Sequence, residues 1–226
     1  MIIYGKQVCL YALDNDESSI NTVYLAKKGL LSQKIFDKYK SKIKFLETKW
    51  ADKMAKGGNH QGILIDMEDM KFANISDIKQ GSFIVILDGI TDVGNIGAII
   101  RSAYALGVDA IIATGVRQLN YGAITRTSSG ALLNMPFLVT NNILDILNEL
   151  SQIGFKSYGA SMGGIDIKDA PKSSKNILIL GSEGRGISKR VEKKLDVTVS
   201  IKMKRDFDSL NVSVAAGILI DRISNG

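Results

Sequence analysis

Cysteine and histidine are almost missing from this 226-residue chain, with Cys9 and His60 the sole members of their types. A lone cysteine excludes an intrachain disulfide framework and any Cys-cluster metal site. A lone histidine excludes His-x-x-x-His zinc sites and multi-histidine metal centres, and it leaves one imidazole for any general-base role. No apolar run approaches the ~18–20 residues that a bilayer-spanning helix needs; the stretch Val214–Ile220 has seven. The segment Met1-Ile-Ile-Tyr-Gly-Lys-Gln lacks the basic-then-apolar order of a secretory signal. These absences predict a cytoplasmic protein without metal and without a membrane partner.

What is present is ordinary globular composition, 45% apolar and 23% charged, long enough for one large or two small domains. The net charge of +6 permits a polyanionic partner without requiring one. Its distribution says more. Ten lysines lie between Lys27 and Lys56 against Asp37, Glu47 and Asp52, whereas all seven arginines lie at or beyond Arg101. A second basic segment, Arg185–Arg205, has eight basic residues against Glu192 and Asp196. Either segment alone reads as a solvated helix face. Two of them in different modules fit an extended polyanion better than a small acidic substrate, and lysines suit point-charge contacts to phosphates.

Hydrophobic periodicity changes near residue 80. Before it, Asn21–Ala26, Ile43–Leu46 and Gly62–Asp66 read as strands. Ser32–Lys42 and Thr48–Lys56 read as helices, with Thr48 as an N-cap. The expectation is a small α/β module over residues 1–66, a linker over 67–80 and a larger domain over 81–226. In that domain Phe83–Leu87, Asp109–Ala113, Phe137–Thr140, Phe155–Ala160, Asn176–Leu180 and Val197–Ile201 are strand candidates. Helical segments, including Ile143–Ile153, Ser188–Leu195 and Asn211–Ile223, interleave with them. Such alternation predicts an α/β fold with a mainly parallel sheet.

Three Gly-Ser-Asn constellations carry the chemistry. The turn Asp88-Gly-Ile-Thr-Asp-Val-Gly-Asn-Ile-Gly97 sits where dinucleotide-binding enzymes hold a pyrophosphate. The G-x-G-x-x-G fingerprint is nevertheless absent, and so is a P-loop. Asp109 stands at the chain distance of a ribose-binding acid. Arg101 is the only charged residue between Asp92 and Asp109. Six positions beyond Asn95, about 9 Å along a helix, it can reach back toward the Asn95 loop or snorkel to solvent. Spacing leaves both open. Leu180-Gly-Ser-Glu-Gly-Arg-Gly-Ile187 follows a strand, with glycines that allow close backbone approach and positive φ. It reads equally as a tight strand-to-helix connection with Glu183 near a helix N-terminus. Ser209-Leu-Asn-Val-Ser213 opens the last helix, where Ser and Asn are also ordinary caps. His60 lies in the Gly-rich stretch Gly57–Gly62 of the other module, which makes a Ser/His/Asp triad untenable and points to a structural role or a place at the domain junction.

In this order and spacing the three segments resemble the motifs of the SpoU–TrmH branch of the SPOUT RNA 2′-O-ribose methyltransferases. The matches are Asn95-Ile-Gly-Ala-Ile-Ile-Arg101, Leu180-Gly-Ser-Glu-Gly-Arg-Gly186 and Ser209-Leu-Asn-Val-Ser-Val-Ala-Ala-Gly217. Tyr4-Gly5 and His60-Gln-Gly62 are similar to the substrate-binding domain of the ribosomal branch, so the resemblance covers nearly the whole chain. It implies a C-terminal α/β domain with a deep trefoil knot, preceded by a small α/β substrate-binding domain like a ribosomal protein. It also implies S-adenosyl-L-methionine as cofactor, a homodimer, and RNA as partner, rRNA ahead of tRNA. Carried over residue by residue, Arg101, Asn95, Ser209 and Asn211 become the catalytic set. Gly181, Glu183, Gly184, Gly186, Ile201, Met203 and Leu210 become the cofactor-binding set. Two positions depart from the pattern, Lys202 standing where proline is common and Arg205 where glycine is usual. The implied reaction is methylation of a ribose 2′-OH, with a 23S rRNA guanosine as first target. The alternatives are a tRNA 2′-O-methyltransferase, a non-catalytic RNA-binding or ribosome-assembly protein, and, last, a Rossmann oxidoreductase.

Overall fold

A computed structural model describes residues 1–206 and 209–225. They form two compact units. Met1–Lys71 cluster with Asn120–Asn134, and Phe72–Leu119 cluster with Met135 onward.

The first unit is built on β1 (Ile2–Tyr4), α1 (Lys6–Asn15), β2 (Ile20–Leu25), α2 (Gln33–Lys38), β3 (Ile43–Phe45), α3 (Thr48–Met54) and β4 (Ile63–Met67). Its sheet has the order β1-β4-β2-β3. Strand alternation sends Ile3, Val23, Leu25, Ile63 and Ile65 into a core with Val8, Cys9, Ala12 and Leu13 of α1. Leu64 faces the other way, against Ala51 and Ala55. Cys9 is fully buried, its Sγ within 3.8 Å of the Ile63 carbonyl. Burial pushes its thiol pKa up, so it is a packing residue and not a nucleophile.

Several elements differ in extent from the sequence reading. The helix expected over Ser32–Lys42 ends at Lys38, with Ser32 as its N-cap. Tyr39 leaves the helix to bury its ring, and its hydroxyl donates to the Leu13 carbonyl at 2.8 Å. Thr48 is the first helical residue of α3, and Glu47 occupies the N-cap without a side-chain bond. Strand β1 and helix α1 were not assigned at all, because β1 is three residues long and α1 carries too little amphipathic contrast.

His60 is 7% exposed. Its Nδ1 accepts from Gly62 N at 3.0 Å, which leaves Nε2–H to donate to Asp52 Oδ1 at 3.1 Å. It locks a loop containing two positive-φ non-glycine residues, Lys56 and Gln61, a structural role as its Gly-rich setting suggested.

The second unit contains α4 (Ile75–Ile78), β5 (Phe83–Asp88), α5 (Val93–Ala105), β6 (Ala110–Thr114), β7 (Phe137–Thr140), α7 (Ile143–Gln152), β8 (Lys156–Asp166), β9 (Asn176–Gly181), α8 (Lys189–Glu192), β10 (Val197–Ser200) and α9 (Val212–Asn225). The label α6 belongs to Tyr121–Thr127, which clusters with the first unit. All six strands pair in parallel, in the order β10-β8-β9-β5-β6-β7. Every residue of β5 and β6 is buried, as a parallel sheet covered on both faces requires. Ile143, Ile146, Leu147 and Leu150 of α7 cover one face; α9 packs on α5 and on β9. Within residues 67–80, Met67 belongs to β4, Ala73 N donates to the Phe137 carbonyl, and Ile78 is buried in the second unit's core.

The chain winds from β5 outward through β6 to β7, then crosses to β8, β9 and β10 on the other side. Strands β5 and β9 are therefore neighbours whose connections leave in opposite directions, with Asp88 opposite Gly181. Open α/β sheets bind ligands in the crevice beyond the carboxyl ends at such a point. Asp109 lies at the opposite edge. Its Oδ2 accepts from Ser82 N at 2.7 Å and Phe83 N at 2.9 Å, pinning the start of β5. It has no ribose to meet there, and the oxidoreductase reading loses its acid.

Helix α6 approaches β1 so closely that a Cβ on Gly122 would lie 2.6 Å from the Ile2 carbonyl oxygen. Gly→Ala in an open helix stabilises by up to about 1 kcal/mol. Here the sign reverses, and Gly122→Ala is expected to lower stability by about 1–3 kcal/mol, measured by urea unfolding.

Candidate active site at the carboxyl edge of the parallel sheet

The loops leaving β5, β9 and β10 meet at one carboxylate. Asp92 caps α5, accepting from Asn95 N at 2.7 Å, and so orients Asn95 on the first turn. Asn95 Nδ2 donates to Glu183 Oε1 at 3.3 Å. Asn211 Nδ2 donates to Glu183 Oε1 at 2.8 Å and to Asn95 Oδ1 at 2.9 Å. Val212 N lies 3.5 Å from the same Glu183 oxygen. Asn211 Oδ1 accepts from Ser213 N at 3.0 Å and Ser213 Oγ at 2.6 Å. Both amide hydrogens and both carbonyl lone pairs of Asn211 are thus in use. The capping reading and the site reading of Asn211 hold together: it satisfies the start of α9 and ties that helix to the other two motifs.

A further link lies beneath. The Asp88 carboxylate, 5% exposed, accepts from Ser188 N at 2.8 Å and joins the end of β5 to the start of α8. Asp88 is outside the expected site set, although an acid closing an apolar strand is a signal visible in the sequence.

Between β9 and α8 the chain folds back on itself, with Gly186 N donating to the Ser182 carbonyl at 2.8 Å. A Cβ on Gly181 would lie 2.0 Å from Gly186 C and 2.2 Å from Ile187 N, so this turn exists only with glycine at 181. Gly186 has φ +65°, the left-handed region that favours glycine. At Gly184 no protein atom stands within 4 Å of a built Cβ; the chain's own packing does not demand that glycine.

Beside the cluster is an open cleft of about 1280 Å³. It is lined by Leu180–Ile187, Val199–Met203, Ser209–Val212 and residues of β8. All seven positions of the expected cofactor set, Gly181, Glu183, Gly184, Gly186, Ile201, Met203 and Leu210, line it, as do Ser209 and Asn211. Asn95 is held through its bonds to Glu183 and Asn211. Arg101 is not a lining residue. It is exposed on α5, with no hydrogen bond or ion pair among the described residues. Lys202 lines the cleft and Arg205 is exposed. The lining combines apolar Leu180, Ile201, Leu210 and Leu219 with the acids Asp166, Asp169, Glu183 and Glu192 and the cations Arg185, Lys189 and Lys202. A ligand combining an apolar group with an end that carries charges of both signs suits such a lining. Among the described residues no His/Cys/Asp/Glu group could hold a metal ion, and no helix is long and apolar enough to cross a membrane.

Residues 82–221 match the SpoU rRNA methylase family, and residues 2–72 match the RNA 2′-O ribose methyltransferase substrate-binding family. The chain belongs to the SpoU methylase family. Within it, the chain is 34% identical over 197 residues to an uncharacterized tRNA/rRNA methyltransferase of Borreliella burgdorferi, covering 80% of this chain and 86% of that protein. It is 27% identical over 234 residues to the 23S rRNA (guanosine-2′-O-)-methyltransferase RlmB of Neisseria meningitidis, covering 96% and 92%. The crystal structure of the SpoU methyltransferase AviRb from Streptomyces viridochromogenes, in complex with AdoMet, superimposes with a TM-score of 0.80 at 22% identity. That match covers 99% of this chain and 89% of that one. The SpoU match spans α6, although Asn120–Asn134 cluster with the first unit.

Gly181→Ala is expected to displace the Ser182–Ile187 turn and to cost about 1–3 kcal/mol, as overpacking against backbone does. Thermal unfolding reads the cost, and a crystal structure of the variant shows whether the turn has moved.

Proposed function

We propose that this SpoU-family RNA methyltransferase transfers a methyl group from S-adenosyl-L-methionine to a ribose 2′-OH, with a guanosine of 23S rRNA as target. The observation that carries the reading is the Asn95–Glu183–Asn211 cluster beside an open cleft at the sheet's switch point. The lining chemistry fits the cofactor: apolar side chains for the adenine, and both carboxylates and cations for its zwitterionic methionine end. Gly181, Glu183, Gly184, Gly186, Ile201, Met203 and Leu210 would hold it. When bound, it supplies the electrophilic methyl group.

The chain's own groups do the rest. Ser209 and Asn211 position the ribose, and the bonds from Asn95 and Asn211 to Glu183 keep those side chains preorganised. Arg101 holds the target phosphate and stabilises the 2′-oxyanion. It does not act as a base, because a guanidinium does not deprotonate in proteins; the 2′-OH proton passes to solvent water at the open cleft as the methyl–oxygen bond forms and the methyl–sulfur bond breaks. Its exposure, and its lack of a partner among the described residues, leave its donors for RNA. A trefoil knot at the C-terminal end of the sheet and a homodimer with the site near the subunit contact belong to the same reading. So do an RNA-presenting module over residues 1–66, a linker over 67–80, a catalytic domain over 81–226, and action in the cytoplasm. The match to a 23S rRNA enzyme along nearly the whole chain, together with the substrate-binding match at residues 2–72, favours rRNA over tRNA.

Single-turnover methyl transfer to rRNA tests the catalytic assignment. Removing an electrostatic stabiliser of this kind costs about 10²–10³ in rate, so Arg101→Ala is expected to fall by that order and Arg101→Lys by less. A near-wild-type rate in Arg101→Ala sinks the role. Titration calorimetry should show saturable S-adenosylmethionine binding to the wild type and none of NAD.

A further inference from the structure

The first unit presents one feature that methyl transfer does not use. Trp50, the only tryptophan in the chain, is 47% exposed. It stands on α3, whose other side is buried through Ala51 and Ala55 against Leu64 of β4. Lys49 Nζ lies 5.6 Å and Lys53 Nζ 5.4 Å from the indole ring centroid. Residues 50 and 53 share a helix face by their spacing. The helix is held in place on its far side, where Asp52 bonds His60. Lys44 lies on the same side of the edge strand β3, since its neighbour Leu46 packs into the α3 core. Phe45, 59% exposed, lies on the opposite face and is not part of this patch. Two acids lie close by in the chain: Glu47, 4.0 Å from Lys49 with both side chains largely in water, a pair worth little, and Asp52, which is engaged with His60.

A large aromatic ring left half in solvent between two ammonium groups matches the chemistry of single-stranded nucleic acid. A base offers a π-face of similar size to an indole, and its flanking phosphates complement the lysines. Lysines grip phosphates without reading bases, so the patch is tolerant of sequence. Charge selects this occupant over a protein: Lys49 and Lys53 flank the ring and Lys44 lies on the same side of the sheet, within a segment that carries ten lysines against three acids between Lys27 and Lys56. We propose that Trp50, flanked by Lys49 and Lys53, is a stacking platform for an unpaired nucleotide of the RNA substrate. It rests on the RNA-methyltransferase reading and adds the place and mode of contact.

Because this chain has no other tryptophan, its indole emission, excited at the red edge where tyrosine does not absorb, reports this site alone. Titration with single-stranded oligouridylate is expected to quench it saturably, and a blunt RNA duplex of equal length to quench it far less. Anisotropy of labelled single strand should show Trp50→Ala binding roughly five- to 150-fold more weakly, the range for losing one aromatic–base stack. Trp50→Phe should restore most of that loss. Replacing Lys49 and Lys53 by Gln should reduce the slope of log affinity against log salt by about 0.7 per lysine. A wild-type circular dichroism spectrum and urea-unfolding profile show each variant's first unit to be folded. Single-stranded RNA that binds without altering Trp50 emission, or equally well to Trp50→Ala, overturns the platform. So does an emission shift that grows with protein concentration alone, which would assign Trp50 to a contact between copies. Methyl transfer by the wild type reports the parent reading separately, so the platform can fail while that reading stands.

Discussion

One carboxylate oxygen organises the second unit's working edge. Glu183 Oε1 receives the amides of Asn95 and Asn211, side chains separated by more than a hundred positions in the chain. Solvent competes at this exposed group, so each bond contributes about 0.5–1.5 kcal/mol. Its importance lies in convergence. The three loops arrive independently from the carboxyl ends of parallel strands, and without a shared acceptor each could relax outward. Asn211 doubles the effect, because the same amide that caps the start of α9 also bonds both other members.

That convergence depends on sheet order. With β9 inserted beside β5, Asp88 stands opposite Gly181, and the two Gly-rich loops leave the sheet side by side. The Asp88–Ser188 bond fixes the spacing below the cluster. Gly181 permits the return of the Ser182–Ile187 turn at a distance that no side chain tolerates. The cleft is therefore a consequence of topology and one steric allowance, and its polar members decorate a shape already set by backbone.

The first unit solves a different problem. It must present positive charge on a stable scaffold of modest size. Its core on one side of the sheet and a smaller one under α3 hold the strands. His60 and a pair of residues with positive φ fix the loop behind α3, which leaves that helix's outer face free to carry lysines and one exposed indole. Helix α6 comes from within the methylase-matching segment yet packs on β1. Sequence continuity and structural membership part company there.

The parallel character of the sheet was legible in continuous apolar runs such as Phe83–Leu87, since burial on both faces leaves no polar register. The three motifs were legible as ordered residues, because glycines and caps at strand-to-helix turns have few ways to be arranged. Short or weakly patterned pieces were not: β1 and α1 carry too little periodic signal, and α6 hides its role in a contact between Gly122 and a distant backbone carbonyl. The setting of Arg101 is a tertiary fact: it is exposed on α5 and has no partner among the described residues. Asp109 and His60 likewise became structural once their partners were seen. Local chemistry, in short, determined which residues could act and what kind of element each would occupy. Which of them meet was decided by strand order alone, because a hydrogen bond between residues a hundred positions apart leaves no trace in either neighbourhood.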